Sequence, residues 1–458
     1  MTIEEEDRGN PDDTASIRLP ESNTSFPAPP PAESTAEDKN AEEKSAVLPP
    51  VGVGTIVLLL VARFGGSIAT LVPMGISLAL KLDQIAPGRE ELLGYVLGAN
   101  ALSSLITTPL TGILSDRTRS RWGRRRPFTI GGIVLGLAAV PIVAFSTTVP
   151  VLIIGWILCS LGFGTAMASV GNFTADRVPQ SQRGRISGLS AFAMQTAPVV
   201  GVLVAGFFTE DMWWLFLIPA LCGVVTMTLF ALIVDDPDTR SMRVVGRLSF
   251  RGVVRSYGFR PSAAPDFAWD WLGRFILFFG LSLATSYTPF FFAQRLGVGV
   301  SDVVDVIAIT ASLSIASALL GGVGGGWLSD RLDRRRAFVA LAVVIYAGGM
   351  AVLAFATELP VLIVGSFLMS FGIAIFTSVN QAITLDVLPD RGAQAGRFMA
   401  IATFSQRIPT ALAPLVAPTL LAIGSTGGDR NYTITYLVAG SLGLVGGLLI
   451  AWRVRGVR

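Results

Sequence analysis

The sequence predicts an all-α integral membrane protein of twelve transmembrane helices in two pseudo-symmetric halves of six. Three observations carry that reading. Of 458 residues, 51% are hydrophobic and only 15% are charged, with a mean hydropathy of +0.61. Soluble domains carry roughly 25% charged residues, so this chain lacks the polar surface to cover a water-soluble core of its size. Apolar runs of about 20 residues or more, enough to cross a bilayer, recur from Val51 onward. The third observation is an internal repeat at an offset of 210–212 residues.

The first element is a tail, residues 1–50. Through residue 49 it holds twelve Asp/Glu against four Arg/Lys, together with Pro27, Pro29, Pro30 and Pro31. Such a composition cannot bury enough apolar area to offset chain entropy, which predicts disorder. The opening MTIEEEDRGN is acidic and lacks the apolar core of a signal peptide.

Spans follow at 52–82, 91–115, 128–147, 150–175, 186–208 and 213–234, then at 267–294, 302–328, 337–357, 360–386, 397–422 and 433–453. They are helices, because isolated strands cannot satisfy their backbone in lipid. Spans one, seven and eleven exceed the length a bilayer needs, which predicts tilt or protruding ends.

Charge orients the spans. After even-numbered spans come the Arg117–Arg126 cluster, then Arg177, Arg183 and Arg185, then six arginines from Arg240 to Arg260. Arg331 and Arg334–Arg336 follow, then Arg391, and finally Arg453, Arg455 and Arg458. The loops after odd-numbered spans are poor in arginine: FSTTVP is uncharged and TEDMWW is acidic. By the positive-inside rule, both termini and the basic 235–266 linker are cytoplasmic, in a multi-pass protein of the cell membrane.

The repeat divides the chain into 51–234 and 267–458. Arg63-Phe64 matches Arg274-Phe275, RRRPF from Arg124 matches RRRAF from Arg334, and Asp176 with Pro179 matches Asp386 with Pro389. Gly184-Arg185 matches Gly396-Arg397, and Gln195 with Pro198 matches Gln406 with Pro409. Six spans plus six is the architecture of many secondary transporters.

The stretch GILSDRTRSRWGRRRPF, from Gly112, resembles the signature loop of the major facilitator superfamily, Gly-x-x-x-Asp-Arg followed by Gly-Arg-Arg. Its longer spelling is similar to that of glycoside–pentoside–hexuronide:cation symporters and sucrose carriers. DRVPQSQRGR, Asp176 to Arg185, resembles the superfamily loop after span four. The resemblance covers about residues 50–455. It implies alternating access, with cytoplasmic charge networks that latch that side shut when the carrier faces outward. The latch residues it points to are Gly112, Asp116, Arg117, Arg124, Asp176 and Arg185, with Asp330, Arg331, Arg334, Asp386 and Arg397 in the repeat. Physically, a carboxylate at a span end can pair with arginine and cap a neighbouring helix, and Gly112 and Gly326 permit close helix approach. Topology signalling alone also accounts for the arginines, but not for the repeated acids.

Polar residues inside spans are costly and are default candidates for the pathway. Arg63 lies near mid-depth with no acid four residues either side, whereas Arg274 has Asp270 one turn before it. Gln195, Gln406 and Arg407 lie in spans five and eleven, where Pro198 and Pro409 can break the helix beside a cavity. Asn100, Asn172 and Gln381 are further candidates, for which an interhelical hydrogen bond is an equal explanation. Trp156 and Tyr287 could stack on a sugar, although apolar packing explains both. The glycines of LLGGVGGGWLSD fit helix packing better than a phosphate loop, since no Lys-Ser/Thr follows.

Several chemistries fall away. With no histidine, and with Cys159 and Cys222 inside apolar runs, neither a metal cluster nor a disulfide framework is expected, and no cofactor is implied. Spans one and two carry no acid before the cytoplasmic end, a departure from melibiose-type symporters. That argues against sodium coupling, and with no histidine the proton carriers left are Asp270, Asp176 and Asp386; Asp270 is taken as the coupling-ion candidate, for proton or sodium. The expected function is carriage of a small polar solute, a sugar or glycoside, by a monomer in the lipid bilayer, with no nucleic-acid partner. The alternative is a proton-coupled exporter of drugs or metabolites, for which the aromatic YTPFFFAQ suits an apolar cargo. Nothing supports a receptor or an enzyme.

Overall fold

A computed structural model describes residues 49–240, 259–389, 395–424 and 430–454. The acidic tail up to residue 48, most of the basic linker and Arg391 lie outside the described residues. All regular structure described is helical.

Twelve long helices follow one another. They are α1 (Val53–Ile85), α2 (Leu92–Arg117), α3 (Arg126–Ala144), α4 (Val149–Arg177), α5 (Gln180–Ala205) and α6 (Met212–Ile233). Then come α7 (Pro265–Thr285), α8 (Val300–Leu332), α9 (Arg335–Phe355), α10 (Leu359–Asp386), α11 (Ala395–Ala422) and α12 (Tyr432–Arg453). Eleven are long and apolar enough to cross a membrane. The remaining one, α11, has the length, and Arg397, Gln406 and Arg407 account for its lower hydropathy.

The sequence explains most helix ends. Proline stands in the first turn of α3, α4, α7 and α10, where its missing N–H costs nothing. Asp211 caps α6, its carboxylate accepting from Trp213 N at 2.9 Å, and Asn431 caps α12, accepting from Ile434 N at 3.1 Å. These two caps open the sixth helix of each half.

Some expectations are revised. Helix α5 starts at Gln180, six residues before the apolar run, because polar residues continue the helix beyond the part that hydropathy detects. Span seven ends at Thr285, and the short helix Thr288–Leu296 resumes beyond Ser286–Tyr287. Pro198 and Pro409 lie inside unbroken helices; the local irregularities are π turns at Pro73–Ser77 and Ala318–Gly324. Within the second of these, Gly321 packs against the Phe371 carbonyl on α10, as helix packing requires.

The packing repeats between halves. Helices α1–α5, α1–α6, α3–α4 and α3–α6 are in contact, as are α7–α11, α7–α12, α9–α10 and α9–α12. Between halves, α2 packs on α11 and α5 on α8. Where Gly162 meets Gly136, and Gly372 meets the Tyr346 backbone, small residues let helix axes approach closely.

One hydrophobic cluster runs through the N-terminal half and across to Tyr287, Phe291, Ala417 and Tyr432. The opposite end of the C-terminal half has its own cluster around Leu277, Val339, Ile375 and Ile450. The halves are therefore joined on the face that carries the loops after odd-numbered helices.

Candidate functional site

A cavity of ≈ 430 Å³ lies between α1, α2, α7 and α11. Asn100 and Ser104 reach it from one half, and Ser282, Gln406 and Arg407 from the other, between walls that include Leu97 and Phe278. A second space of ≈ 220 Å³ shares Ser104, Leu105 and Arg407, and continues between α2 and α11 past Thr108 and Thr403 toward the arginine-rich face. Of the sequence candidates, the cavity gathers Asn100, Gln406 and Arg407. Gln195 and Gln381 are exposed on α5 and α10, and Asn172 is half-buried on α4; none of the three lines this cavity.

Arg63 is half-buried on α1. Its Nη2 donates to Met194 Sδ on α5 at 3.2 Å, and its Nε is buried with no hydrogen-bond partner. A thioether is a weak acceptor. No described carboxylate pairs with Arg63, so the guanidinium retains most of its hydrogen-bonding capacity.

Its repeat partner is different. Arg274 and Asp270 are 5% and 1% exposed. Asp270 accepts from Asn380 Nδ2 at 2.6 Å and from Thr384 Oγ1 at 2.9 Å, and Arg274 donates to Thr384 Oγ1 at 2.8 Å. The on-helix pair expected from the sequence is not a direct contact: Thr384 on α10 bonds to both side chains and bridges them, and Asn380 completes the network. Arg274 does not reach the cavity, because its guanidinium bonds inside its own half; Asp270 is enclosed in the same way.

The arginine-rich face carries two copies of one ionic arrangement. Arg125 bridges Asp116 at 2.7 Å and Asp176 at 2.9 Å, and Arg124 also reaches Asp176 at 2.7 Å. In the other half, Arg335 reaches Asp330 at 3.1 Å and also pairs with Asp386. Arg126 donates to the Val234 carbonyl at 3.1 Å, and Arg336 to the Ala451 carbonyl at 2.6 Å, sealing the ends of α6 and α12.

Sequence reasoning counted Arg124 and Arg334 among the latch residues; Arg124 does reach Asp176, while the arginines that bridge both acids are the next ones on, Arg125 and Arg335. Helices α3 and α9 start at Arg126 and Arg335, so the bridging arginine stands just before the first helix and opens the second. Arg334 contributes its amide, which donates to the Ser329 carbonyl at 3.4 Å.

Other latch candidates are scattered. Arg331 lies over Trp327 and Arg397 over Phe398, at 5.2 and 5.5 Å from the ring centroids. Arg185 is exposed, while Arg183 donates to the Val178 carbonyl at 2.8 Å. Arg117 closes α2. Gly112 is a correction: open space surrounds the position of an added Cβ, so no helix approaches there, whereas Gly326 abuts Ser378.

The opposite face holds a clasp that sequence reasoning missed, since none of its residues follows the repeat. Arg430 meets Glu91 at 2.6 Å and the Gly88 carbonyl at 3.2 Å, and the Tyr432 hydroxyl donates to Glu90. Tyr287 donates to the Glu91 and Pro414 carbonyls, both at 3.3 Å, and Gln294 Nε2 donates to the Arg430 carbonyl at 2.9 Å. Burial pushes the Glu90 carboxyl above the usual carboxylate range, against the pull of Tyr432 and Arg430.

Two six-helix halves joined at one face, with a polar cavity between them, define a multi-pass membrane carrier. The Major Facilitator Superfamily profile matches residues 53–325 and 304–457, and the chain belongs to that superfamily. It is 25% identical over 375 residues to Multidrug resistance protein 2 of Bacillus subtilis, covering 79% of this chain and 86% of that one. A 104-residue stretch is 30% identical to the sucrose transport protein SUT1 of rice, covering 22% of this chain and 18% of that one. In structure it resembles a mutant form of the nucleoside transporter NupG, with a TM-score of 0.71, 13% identity, and coverage of 86% and 98%.

Proposed function

We propose that this transporter carries a small polar solute by alternating access through the cavity between α1, α2, α7 and α11. The observation that carries the reading is the pairing of that cavity, lined by polar groups from both halves, with closure, among the described residues, on the face opposite the arginine-rich loops. With the arginine-rich loops in the cytoplasm of a plasma-membrane protein, as the positive-inside rule argues, this is the inward-facing state. Residues 51–234 and 267–458 then rock as two bodies about the site, joined by the 235–266 linker. Rupture of the Glu91–Arg430 clasp accompanies outward opening, while Asp116, Asp176, Asp330 and Asp386 steady the cytoplasmic ends.

Asn100, Gln406 and Arg407 are the proposed solute contacts in the cavity, and Arg63, which lines neither space in this state, is proposed to meet the solute as the halves rock, in a carrier that works as a monomer. The rice sucrose transporter match and the signature-loop spelling favour a sugar-sized solute. Asp270 is the candidate for proton or sodium coupling, provided that outward opening exposes it. A second reading, export of drugs or metabolites, is supported by the match to Multidrug resistance protein 2 over most of both chains. Reconstitution into proteoliposomes, with counterflow of a panel of sugars, glycosides, small organic anions and drug cations under imposed sodium or proton gradients, separates the readings. Absence of counterflow for every compound, while the protein binds one of them, would return the chain to a receptor role.

A further inference from the structure

The cavity carries a net charge. Arg407 is exposed on α11 and lines both spaces between α2 and α11. No acidic residue lines either space, and Arg407 makes no ion pair or hydrogen bond among the described residues. It stands twelve residues into α11, about 18 Å from the arginine-rich end at 1.5 Å per residue, near the middle of a bilayer core of about 30 Å.

Arg63 stands ten residues into α1, about 15 Å from the same face, and its Nε is buried without a partner. The carboxylate buried within a span, Asp270, already bonds to Asn380 and Thr384. Neither guanidinium meets a carboxylate among the described residues, so water or an anion must solvate it.

We infer that Arg407 makes the cavity selective for small organic anions, its planar fork pairing with a carboxylate or sulfonate while Asn100 and Gln406 hydrogen-bond the rest of the solute. The inference rests on the proposed role of the cavity as the transport site. A guanidinium offers two parallel N–H donors to an oxyanion, and a cation of the same size would meet repulsion with no acid to receive it. The charge acts on whatever solute enters, so it narrows the solute class whether transport is import or export.

The test places one cysteine at Ser104, which lines both spaces, in the full chain with Cys159 and Cys222 replaced by alanine. The purified protein is labelled at low salt by 2-sulfonatoethyl and by 2-(trimethylammonio)ethyl methanethiosulfonate, each rate being divided by that of free 2-mercaptoethanol. The Arg407 field alters the thiol equally for both reagents, so the ratio reports the charge selectivity of the cavity.

We expect the anionic reagent to be favoured about tenfold, and the preference to fade at 1 M salt, where screening acts within about 3 Å. Arg407→Gln should abolish it and Arg407→Lys should keep most of it. Equal normalised rates in the parent, or a preference for the cation, would overturn the inference. A salt-insensitive preference, or one that survives Arg407→Gln, would remove Arg407 from it. If neither reagent reacts, Ser104 is not reachable from water, and the cavity itself fails as the transport site.

Discussion

Arg430 and Glu91 meet at 2.6 Å although 339 residues separate them in the chain. Each lies at an end of a helix that belongs to a different half, and both side chains are about three-quarters buried. A bond of this kind can form only when the two halves come together on that face, so it is a direct handle on the closed state.

Glu91→Gln should therefore shift the protein toward opening of that face. A partly exposed ion pair contributes about 1 kcal/mol or somewhat more, which changes the ratio of states about fivefold or more. The check is the distance distribution between spin labels placed at the exposed positions Pro87 and Ile423, in the parent and the mutant. An unchanged distribution would mean that apolar contacts alone hold the face shut.

Gly94→Ala tests the same closure by sterics. An added methyl would run into the Pro414 carbonyl and the Tyr287 hydroxyl, and a backbone oxygen in the middle of α11 cannot move aside cheaply. The mutant should insert normally, yet populate the open form of that face and transport slowly. Normal transport at equal expression would show that the helices close by another route.

The closure should also depend on pH. Burial raises the Glu90 carboxyl pKa in the closed state, so the closed state holds its proton more tightly than an open state with Glu90 in water. Closure is then fully favoured below the ordinary carboxylate range. That advantage is lost as pH rises through the raised value. The spin-label distances should shift toward closed on acidification, and Glu90→Gln should flatten that response. A shift toward open on acidification would contradict the assignment.

Legibility in the sequence followed periodicity. Apolar runs located the long helices because lipid imposes length and composition on each separately. The repeat located Asp176 and Asp386 because duplicated helices pack in duplicate ways. What was hidden depended on helix phase or on contacts across the whole chain. Which of the three arginines before α3 bridges Asp116 and Asp176 depends on how the chain turns into the helix, which a run of three arginines does not encode. Glu90, Glu91 and Arg430 sit in unlike loops and Tyr432 opens α12, so no internal comparison could bring them together. Gly112 matches the family spelling, yet nothing packs on it in this state, since a residue that acts in one conformation need not be engaged in the other.

Asp270→Asn separates structure from coupling in the C-terminal half. Removing the carboxylate charge leaves the Arg274 guanidinium, 5% exposed and bonded to Thr384, without the opposite charge that Thr384 links to it. Breaking one side of a buried pair costs about 3–5 kcal/mol, so thermal stability of the purified protein should fall sharply. Thr384→Val keeps both charges and should cost less. If Asp270→Asn instead folds with near-parental stability but loses gradient-driven accumulation, while counterflow persists, Asp270 carries the coupling ion.

Arg63 invites the closest test, because its surroundings satisfy it so little. Its one hydrogen bond ends on a thioether, its Nε has no partner, and Gly171 leaves the guanidinium room that a side chain would fill, since an added Cβ would stand 2.9 Å from Nη1. A structural arginine at this depth would be expected to have a carboxylate in its network, as Arg274 has Asp270 through Thr384. Arg63→Lys keeps the charge and loses the planar fork, so it distinguishes solute binding from charge alone. If the fork holds the solute, the mutant should fold, insert and exchange more slowly, with affinity reduced severalfold. Met194→Leu removes the thioether acceptor without touching the fork and should leave affinity nearly unchanged. Parental affinity in Arg63→Lys would take Arg63 out of the site. Loss of folding in Arg63→Lys alone would instead make it part of the packing between α1, α4 and α5.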